Sequence, residues 1–136
     1  MHSMTSRIIV LAIAALPLAG CESIAISALG GGTSAGVSYS MAGKVSRTFT
    51  ASLPKVRAAA LAALQHMDID VRSIDKVKGG KEINAKSINR TIYIKLEEIS
   101  PNATRMSVSA KSGIFHSDTA TGAEILLQTD REMGGV

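Results

Sequence analysis

Hydrophobic and polar residues alternate in five segments of the chain, and this period of two predicts half-buried strands. The segments cover residues 45–50, 69–77, 82–86, 91–97 and 105–111. The clearest segment places Ile92, Ile94 and Leu96 on one side and polar residues on the other. Short turns, such as Lys78-Gly79-Gly80-Lys81 and Ser100-Pro101-Asn102, separate the later strands and predict antiparallel pairing.

Two further segments have the helical spacing of apolar residues. The first segment starts with Ser52 as a candidate cap and Pro54 in the first turn. Its apolar residues are Leu53, Val56, Ala60, Leu64 and Met67. Ser117 or Asp118 is expected to cap the second helix, and Gly134-Gly135 to end it. The second helix has apolar residues at Ala120, Ala123, Ile125, Leu126 and Leu127. Gly122 is expected to weaken it by about 1 kcal/mol relative to alanine.

These elements predict an α+β fold with the order strand, helix, four strands, helix. Because each strand has only one apolar face, we expect an antiparallel sheet of about five strands with both helices packed on one face. The predicted domain covers residues 44–136. A domain of this size buries enough surface to fold without disulfides.

The beginning of the chain has the pattern of a signal peptide. Arg7 precedes a hydrophobic run of 13 residues, Ile8 to Gly20, which is too short to span a bilayer comfortably. The only cysteine in the chain, Cys21, follows that run directly. The sequence Leu18-Ala19-Gly20-Cys21 resembles the bacterial lipobox, which implies cleavage before Cys21 and lipid attachment to its thiol. The alternatives are an incidental free cysteine or ordinary cleavage after Ser27.

Residues 1–20 are therefore predicted to be a lipoprotein signal peptide, and residues 21–43 a lipidated cysteine with a Gly/Ala/Ser-rich tether. A small-residue helix packed against a membrane or neighbour is the alternative for the tether. Glu22 occupies the sorting position of lipoproteins, where aspartate is the inner-membrane signal. Because this residue is not aspartate, we expect an outer-membrane lipoprotein, with the inner membrane as the alternative.

The charge of the chain is mildly basic, at +4 from 15 basic and 11 acidic residues. Four aromatic residues and unclustered charge do not indicate a nucleic-acid-binding protein. The predicted hairpins carry a basic exterior made of Lys76, Lys78, Lys81, Lys86, Arg90 and Lys95. A solvated face is one interpretation, and contact with anionic headgroups or an acidic partner is the other.

No pattern in the chain predicts a catalytic site, a metal site or a cofactor. His66 and His116 are expected at the surface, since no cysteine accompanies them as a zinc ligand. Asp68 and Asp70 lie at a predicted helix–strand junction, where a solvated turn is favoured over a weak cation site.

From Gly36 through Gly122 the chain resembles a family of small proteobacterial lipoproteins known only as a domain of unknown function. The resemblance rests on Tyr39, Gly43-Lys44-Val45, Phe49, Ser52, Lys55-Val56, Ala59-Ala60, Leu64, the Ile92–Leu96 strand and Gly113-Ile114-Phe115 with Asp118. The family implies no catalytic residues. The chain departs from its pattern in the polar end of the last helix and in Gly122.

The predicted function is that of a non-enzymatic envelope lipoprotein, which presents its domain to another envelope component. The alternative is a carrier of a small hydrophobic ligand held between helices and sheet. An enzyme ranks third, because the sequence reveals no nucleophile–base–orienter set.

Overall fold

The protein is described by a computed structural model over residues 37–134. The elements are β1 (Ser38–Tyr39), β2 (Lys44–Phe49), α1 (Leu53–His66), β3 (Asp70–Val77), β4 (Gly80–Ser87), β5 (Arg90–Ser100), β6 (Ala103–Ser112), β7 (His116–Ser117) and α2 (Thr119–Glu132). The strands form one antiparallel sheet in the order β1-β2-β6-β5-β4-β3, and β7 pairs with β6. No helix within residues 37–134 is long and apolar enough to cross a membrane.

The α+β class and the antiparallel sheet are confirmed, but the predicted count of about five strands is too low. The sheet contains seven strands, because β1 and β7 each add two residues. Neither strand is long enough to display an alternating pattern, so no hydrophobic periodicity indicates them. β7 pairs with the part of β6 that extends past the start of β2. Lys111 of β6 pairs with Ser117 of β7, whereas Ser109 of β6 pairs with Lys44, the first residue of β2.

The core lies on one face of the sheet, against both helices. Ile92, Ile94 and Leu96 of β5 are fully buried there, as their alternation predicts. Residues paired directly across strands share a face, so the fully buried Val45, Val108 and Ile83 extend this apolar layer to the neighbouring strands. The opposite face carries polar side chains and is not covered by a helix.

A β-bulge changes the predicted alternation in β3. The pairing with β4 shifts between Val71 and Ser73, so that Arg72 is the extra residue. After the shift Ile74, and not Ser73, shares the helix-facing side with Val71. The uninterrupted alternation predicted for residues 69–77 is therefore wrong, because one inserted residue reverses the face of those that follow.

Helix α1 has the predicted apolar face, with Leu53, Val56, Ala60 and Leu64 buried. Pro54 lies in its first turn, where the missing amide hydrogen would have no helical partner. Ser52 is the cap residue, but its side chain makes no capping hydrogen bond. The helix contacts β5, β3 and β6 as well as α2.

Helix α2 packs over β2 and β6 through residues at positions 122, 125, 126 and 129. Ile125 and Leu126 are buried as predicted, whereas Ala120 is exposed. Gly122 is buried, and a Cβ added there would lie 2.6 Å from Cγ2 of Val45. Gly122 therefore permits the close approach of the helix to β2, and the helix continues through it to Glu132.

Candidate functional site

The predicted lipid-attachment residue Cys21, the cleavage sequence from Leu18 through Gly20 and the sorting residue Glu22 lie outside the described residues 37–134. The candidate surfaces described below therefore belong to the domain. Two of its regions combine exposure with a distinctive chemistry. One is the open face of the sheet, and the other is a carboxylate-centred junction before α2.

The open face of the sheet contains a shallow depression of about 480 Å³ across β1, β2, β6 and β5. Its polar lining includes Ser38, Ser46, Thr48, Glu97, Arg105 and Ser107. The register places Arg105 between Thr48 and Glu97, so a cationic and an anionic side chain lie on adjacent strands. Lys95 pairs with Glu97 at 3.0 Å on the same face. This surface offers hydroxyl donors and both signs of charge, which suits hydrogen bonding to a polar partner.

A hydrogen-bond network fixes the edge of the open face. Ser73 donates to Asp75 at 2.7 Å, and Asn84 donates to Ser73 at 3.0 Å and to Asp75 at 2.9 Å. These bonds join β3 to β4 immediately after the bulge. Because these hydrogen bonds join side chains of adjacent strands, the geometry of the group is that of a cross-strand clamp.

The junction before α2 centres on Asp118. Its carboxylate accepts hydrogen bonds from the backbone nitrogen of Thr121 at 2.9 Å and from the Thr121 hydroxyl at 2.7 Å. Its other partner is Arg90, which donates from Nε. The hydrogen bonds from Thr121, assisted by Arg90, lower the pKa of Asp118 from 3.8 to about 2. Asp118 thus caps α2 and ties the start of β5 to it.

The basic residues predicted as one exterior do not form a single patch. Lys81 pairs with Leu96 and Lys76 with Lys81, which places both lysines on the helix side of the sheet. Lys86 and Lys95 lie on the open face, and Arg90 binds Asp118. Because neighbouring residues of a strand point to opposite faces, a run of lysines in sequence is divided between two surfaces.

The two histidines and the acidic pair occupy separate places. His66 ends α1, and its Nδ1 lies 2.6 Å from Oε1 of Glu132 in α2. His116 is exposed in β7. Asp68 adopts a positive φ of 53° in the turn before β3, while Asp70 lies 3.8 Å from Arg72. No group of three side chains suited to holding a metal ion occurs within residues 37–134.

Comparison with known proteins identifies the family of the chain. No match was found among curated proteins. The family model described as "Protein of unknown function (DUF3568)" matches residues 6–128, which includes all of the sheet and most of α2. The chain therefore belongs to the DUF3568 family of proteins of unknown function.

Proposed function

We propose that the protein is a lipid-anchored, non-enzymatic component of the bacterial envelope, held at the outer membrane through Cys21. The observation that carries this proposal is the sequence Leu18-Ala19-Gly20-Cys21 directly after the hydrophobic run from Ile8. A thiolate is a strong nucleophile that accepts a diacylglycerol group as a thioether. Two or more acyl chains are needed for stable anchoring, since each buried methylene contributes only about 0.8 kcal/mol.

We further propose that the domain binds another envelope component through the open face of its sheet. The mixed charge of Glu97 and Arg105, with the surrounding hydroxyl groups, supports a polar protein partner. The face extends over several strands, and its backbone is held rigid by the sheet. A rigid, polar surface loses little conformational entropy on binding.

The alternative function, transport of a small hydrophobic ligand, requires an apolar cavity between the helices and the sheet. In residues 37–134 fully buried side chains fill that layer. They include Leu64, Ile83, Ile94, Leu96, Met106, Ile125 and Leu126. This filling favours an interaction protein over a carrier.

The anchor is tested by growing cells with labelled palmitate and comparing Cys21→Ser with Ser27→Leu. Ser27→Leu blocks the alternative cleavage site and leaves the proposed lipobox unchanged. We expect the wild-type chain and Ser27→Leu to incorporate label, and Cys21→Ser to incorporate none. Palmitate label on Cys21→Ser, or its absence from the wild-type chain, would contradict the anchor.

The binding face is tested with a photo-crosslinking residue at Thr48 or Glu82 on the open face and at Ala58 on α1. Thr48 and Ala58 are exposed, and Glu82 is half-buried. We expect the same envelope protein to be crosslinked from Thr48 and Glu82 but not from Ala58. Equal crosslinking from Ala58 would place the partner elsewhere on the domain.

A further inference from the structure

Three turns leave the sheet at the same end. Ser87 pairs with Arg90 at the β4–β5 turn, and Arg90 pairs with Ser112, after which β6 turns into β7. The β1–β2 turn precedes Lys44, which pairs with Ser109 near the same end of β6. We call the turns at residues 40–43, 88–89 and 113–115 the loop end of the sheet.

Two contacts hold the loop end together. Gly43 lies so close to Ser117 that a Cβ on Gly43 would overlap the serine side chain, which joins the β1–β2 turn to β7. Arg90, at the β4–β5 turn, binds Asp118 after β7. The three turns are therefore anchored to a common framework, and their tips are presented on one side of the domain.

Apolar side chains form the tips of these turns. The exposed fractions are 108% for Met41, 94% for Ile88, 87% for Ile114 and 90% for Phe115. Every other exposed large hydrophobic residue of the described region is 53% exposed or less. Single exposed apolar residues are common, but four at the tips of three adjoining turns form a concentration that indicates a binding surface.

Backbone geometry does not account for these residues. Ile88 is the first residue of a two-residue turn between Ser87 and Arg90, a position that favours Asn, Asp or Gly. Among the non-glycine residues from 37 to 134 only Asp68 has a positive φ, so the turn at Ile88 has no special backbone requirement. A β-branched apolar residue there contributes neither to the turn nor to the core.

Basic side chains lie directly behind the tips. Lys111 pairs with Thr91, which pairs with Lys86. Lys44 pairs with Ser109, which lies two residues before Lys111 in β6 and therefore on the same face of the sheet. All three lysines are exposed, and none forms an ion pair with another residue of the described region. The acidic residues near this end are Asp118, bound to Arg90, and Asp68 and Asp70 at the β3 corner, the latter beside Arg72.

We propose that the loop end docks on an anionic bilayer surface, with the four apolar tips inserted among the headgroups and the lysines contacting lipid phosphates. Apolar tips backed by cations match the two layers of a membrane interface. A second copy of the chain is a poorer occupant, because symmetric docking would bring the same three lysines together. This inference rests on the proposed lipid anchor for its proximity to the membrane.

Because the proposed lipid anchor already holds the chain at the membrane, the loop end can dock on the bilayer with only weak affinity. Fifteen residues separate Cys21 from the start of the described domain at Val37. A chain of that length spans on the order of 50 Å at most, whatever its conformation. Attachment at Cys21 therefore raises the effective concentration of the loop end at the bilayer surface. Docking in turn fixes the orientation of the domain, so that its open sheet face is directed along the bilayer surface and not toward it.

The test uses the lipidated chain in vesicles and a matched pair of asparagine sites. Asn89 adjoins Ile88 at the loop end, and Asn102 lies in the β5–β6 turn at the opposite end. Asn89→Cys and Asn102→Cys are each labelled with an environment-sensitive dye, because lipidated Cys21 has no free thiol. Vesicles of phosphatidylcholine, with or without phosphatidylglycerol, carry a headgroup-level quencher.

We expect quenching at residue 89 to exceed that at residue 102 by about threefold or more in phosphatidylglycerol vesicles, and to fall with added salt. Adding Ile114→Ser and Phe115→Ser to the Asn89→Cys chain removes the difference. Equal quenching at the two sites would overturn the docking. A blue shift at residue 89 that depends on protein density, without lipid quenching, indicates a second copy and also overturns it.

The mass of the same preparation separates the two proposals. A lipidated chain with equal quenching at both sites means that the anchor stands and the docking fails. A chain without lipid means that the anchor fails. In that case docking predicts that the unlipidated chain still sediments with phosphatidylglycerol vesicles and that Phe115→Ser weakens this sedimentation. Sedimentation unchanged in Phe115→Ser, or none at all, would overturn the docking too.

Discussion

The chain reverses direction at both ends of the sheet, and glycines with positive φ occur in turns at each end, Gly79 at one end and Gly43 and Gly113 at the loop end. The two ends differ in the side chains that their turns expose. At the end opposite the loop end, Lys78-Gly79 and Pro101-Asn102 make two-residue turns. Gly79 supplies the positive φ of 79°, and Pro101 fits the fixed φ of a turn. Within residues 37–134, Ile99 is the one large hydrophobic residue exposed there, at 53%. The loop end instead presents four nearly fully exposed apolar residues, and none of them has a positive φ that its turn would require.

The largest effect on stability is expected at the end opposite the loop end, from Gly80→Ala. A Cβ on Gly80 would overlap the carbonyl oxygen of Leu96 on the adjacent strand. Since both groups belong to paired backbones, β4 and β5 must separate locally, and we expect a loss of about 3 kcal/mol in urea unfolding. Gly79→Ala is the matched control. It meets no atom within 4 Å, so only its positive φ is penalised, by about 1 kcal/mol. Equal losses in the two variants would contradict this account.

The second effect concerns the junction that holds the loop end to α2. Asp118→Ala removes the cap of the helix and the partner of Arg90, and we expect a loss of about 1–2 kcal/mol at neutral pH. Asp118→Asn retains part of the capping and should lose less. Thermal unfolding of the three chains at pH 7 measures the difference. A loss in Asp118→Asn equal to that in Asp118→Ala would show that the charge, and not the cap, dominates.

The Asp118 carboxylate also makes the free energy of unfolding depend on pH in the acidic range. Because the pKa of Asp118 is lowered from 3.8 to about 2 in the folded chain, its contribution is present above pH 3.8 and is lost as the pH falls toward 2. Because Arg90 is partly exposed, solvent screens this ion pair, and the contribution of the charge is expected to be about 1 kcal/mol. Urea unfolding between pH 6 and pH 2 should therefore decline less steeply in Asp118→Asn than in the wild type. Parallel curves for the two chains would remove Asp118 as a source of this dependence.

A third and smaller effect is expected from Gly122→Ala near the start of α2. The added methyl group would lie 2.6 Å from Cγ2 of the fully buried Val45. Overpacking of about 2 kcal/mol is partly offset by the better helix propensity of alanine, about 1 kcal/mol, which leaves a net loss of about 1 kcal/mol. Val45→Ala provides room for that methyl group, so the double variant should be more stable than the sum of the single losses predicts. Additive losses would mean that Val45 is not the obstacle.

The smallest change in stability is expected at the tips of the loop end. Ile114→Ser with Phe115→Ser should change the free energy of unfolding by less than about 0.5 kcal/mol, because both side chains are already exposed to water. Ile94→Ser, at a fully buried position of β5, serves as the contrast and should cost several kcal/mol, on the order of 3. A loss above about 1 kcal/mol in the turn variant would assign Ile114 and Phe115 to folding.

The long elements could be predicted from sequence because burial imposes a period. The alternation at Ile92, Ile94 and Leu96 and the helical spacing from Leu53 to Leu64 both follow from one buried face. A strand of two residues is too short to show a period in hydrophobicity, and the bulge at Arg72 interrupts the period of β3. The buried Gly122 resembles a helix breaker in sequence, and its role depends on the distance to Val45 on another element.

The loop end could not be predicted from sequence, because it depends on strand register. Met41, Ile88 and Phe115 lie far apart along the chain and are brought to one end by the pairing of β2, β5 and β6. The lysines behind them alternate with core residues and are separated by the sheet from the lysines of the helix side. The proposed lipobox is the reverse case, since a contiguous run of four residues can be compared with a known motif without any knowledge of the fold.

The most direct test of the proposed function is the intact mass of a C-terminally tagged chain extracted from its native membranes. We predict a polypeptide that begins at Cys21 and carries the added mass of diacylglycerol and an acyl group. A chain that begins after Ser27 without lipid, or that retains residue 1, would contradict the anchor on which the proposed function depends.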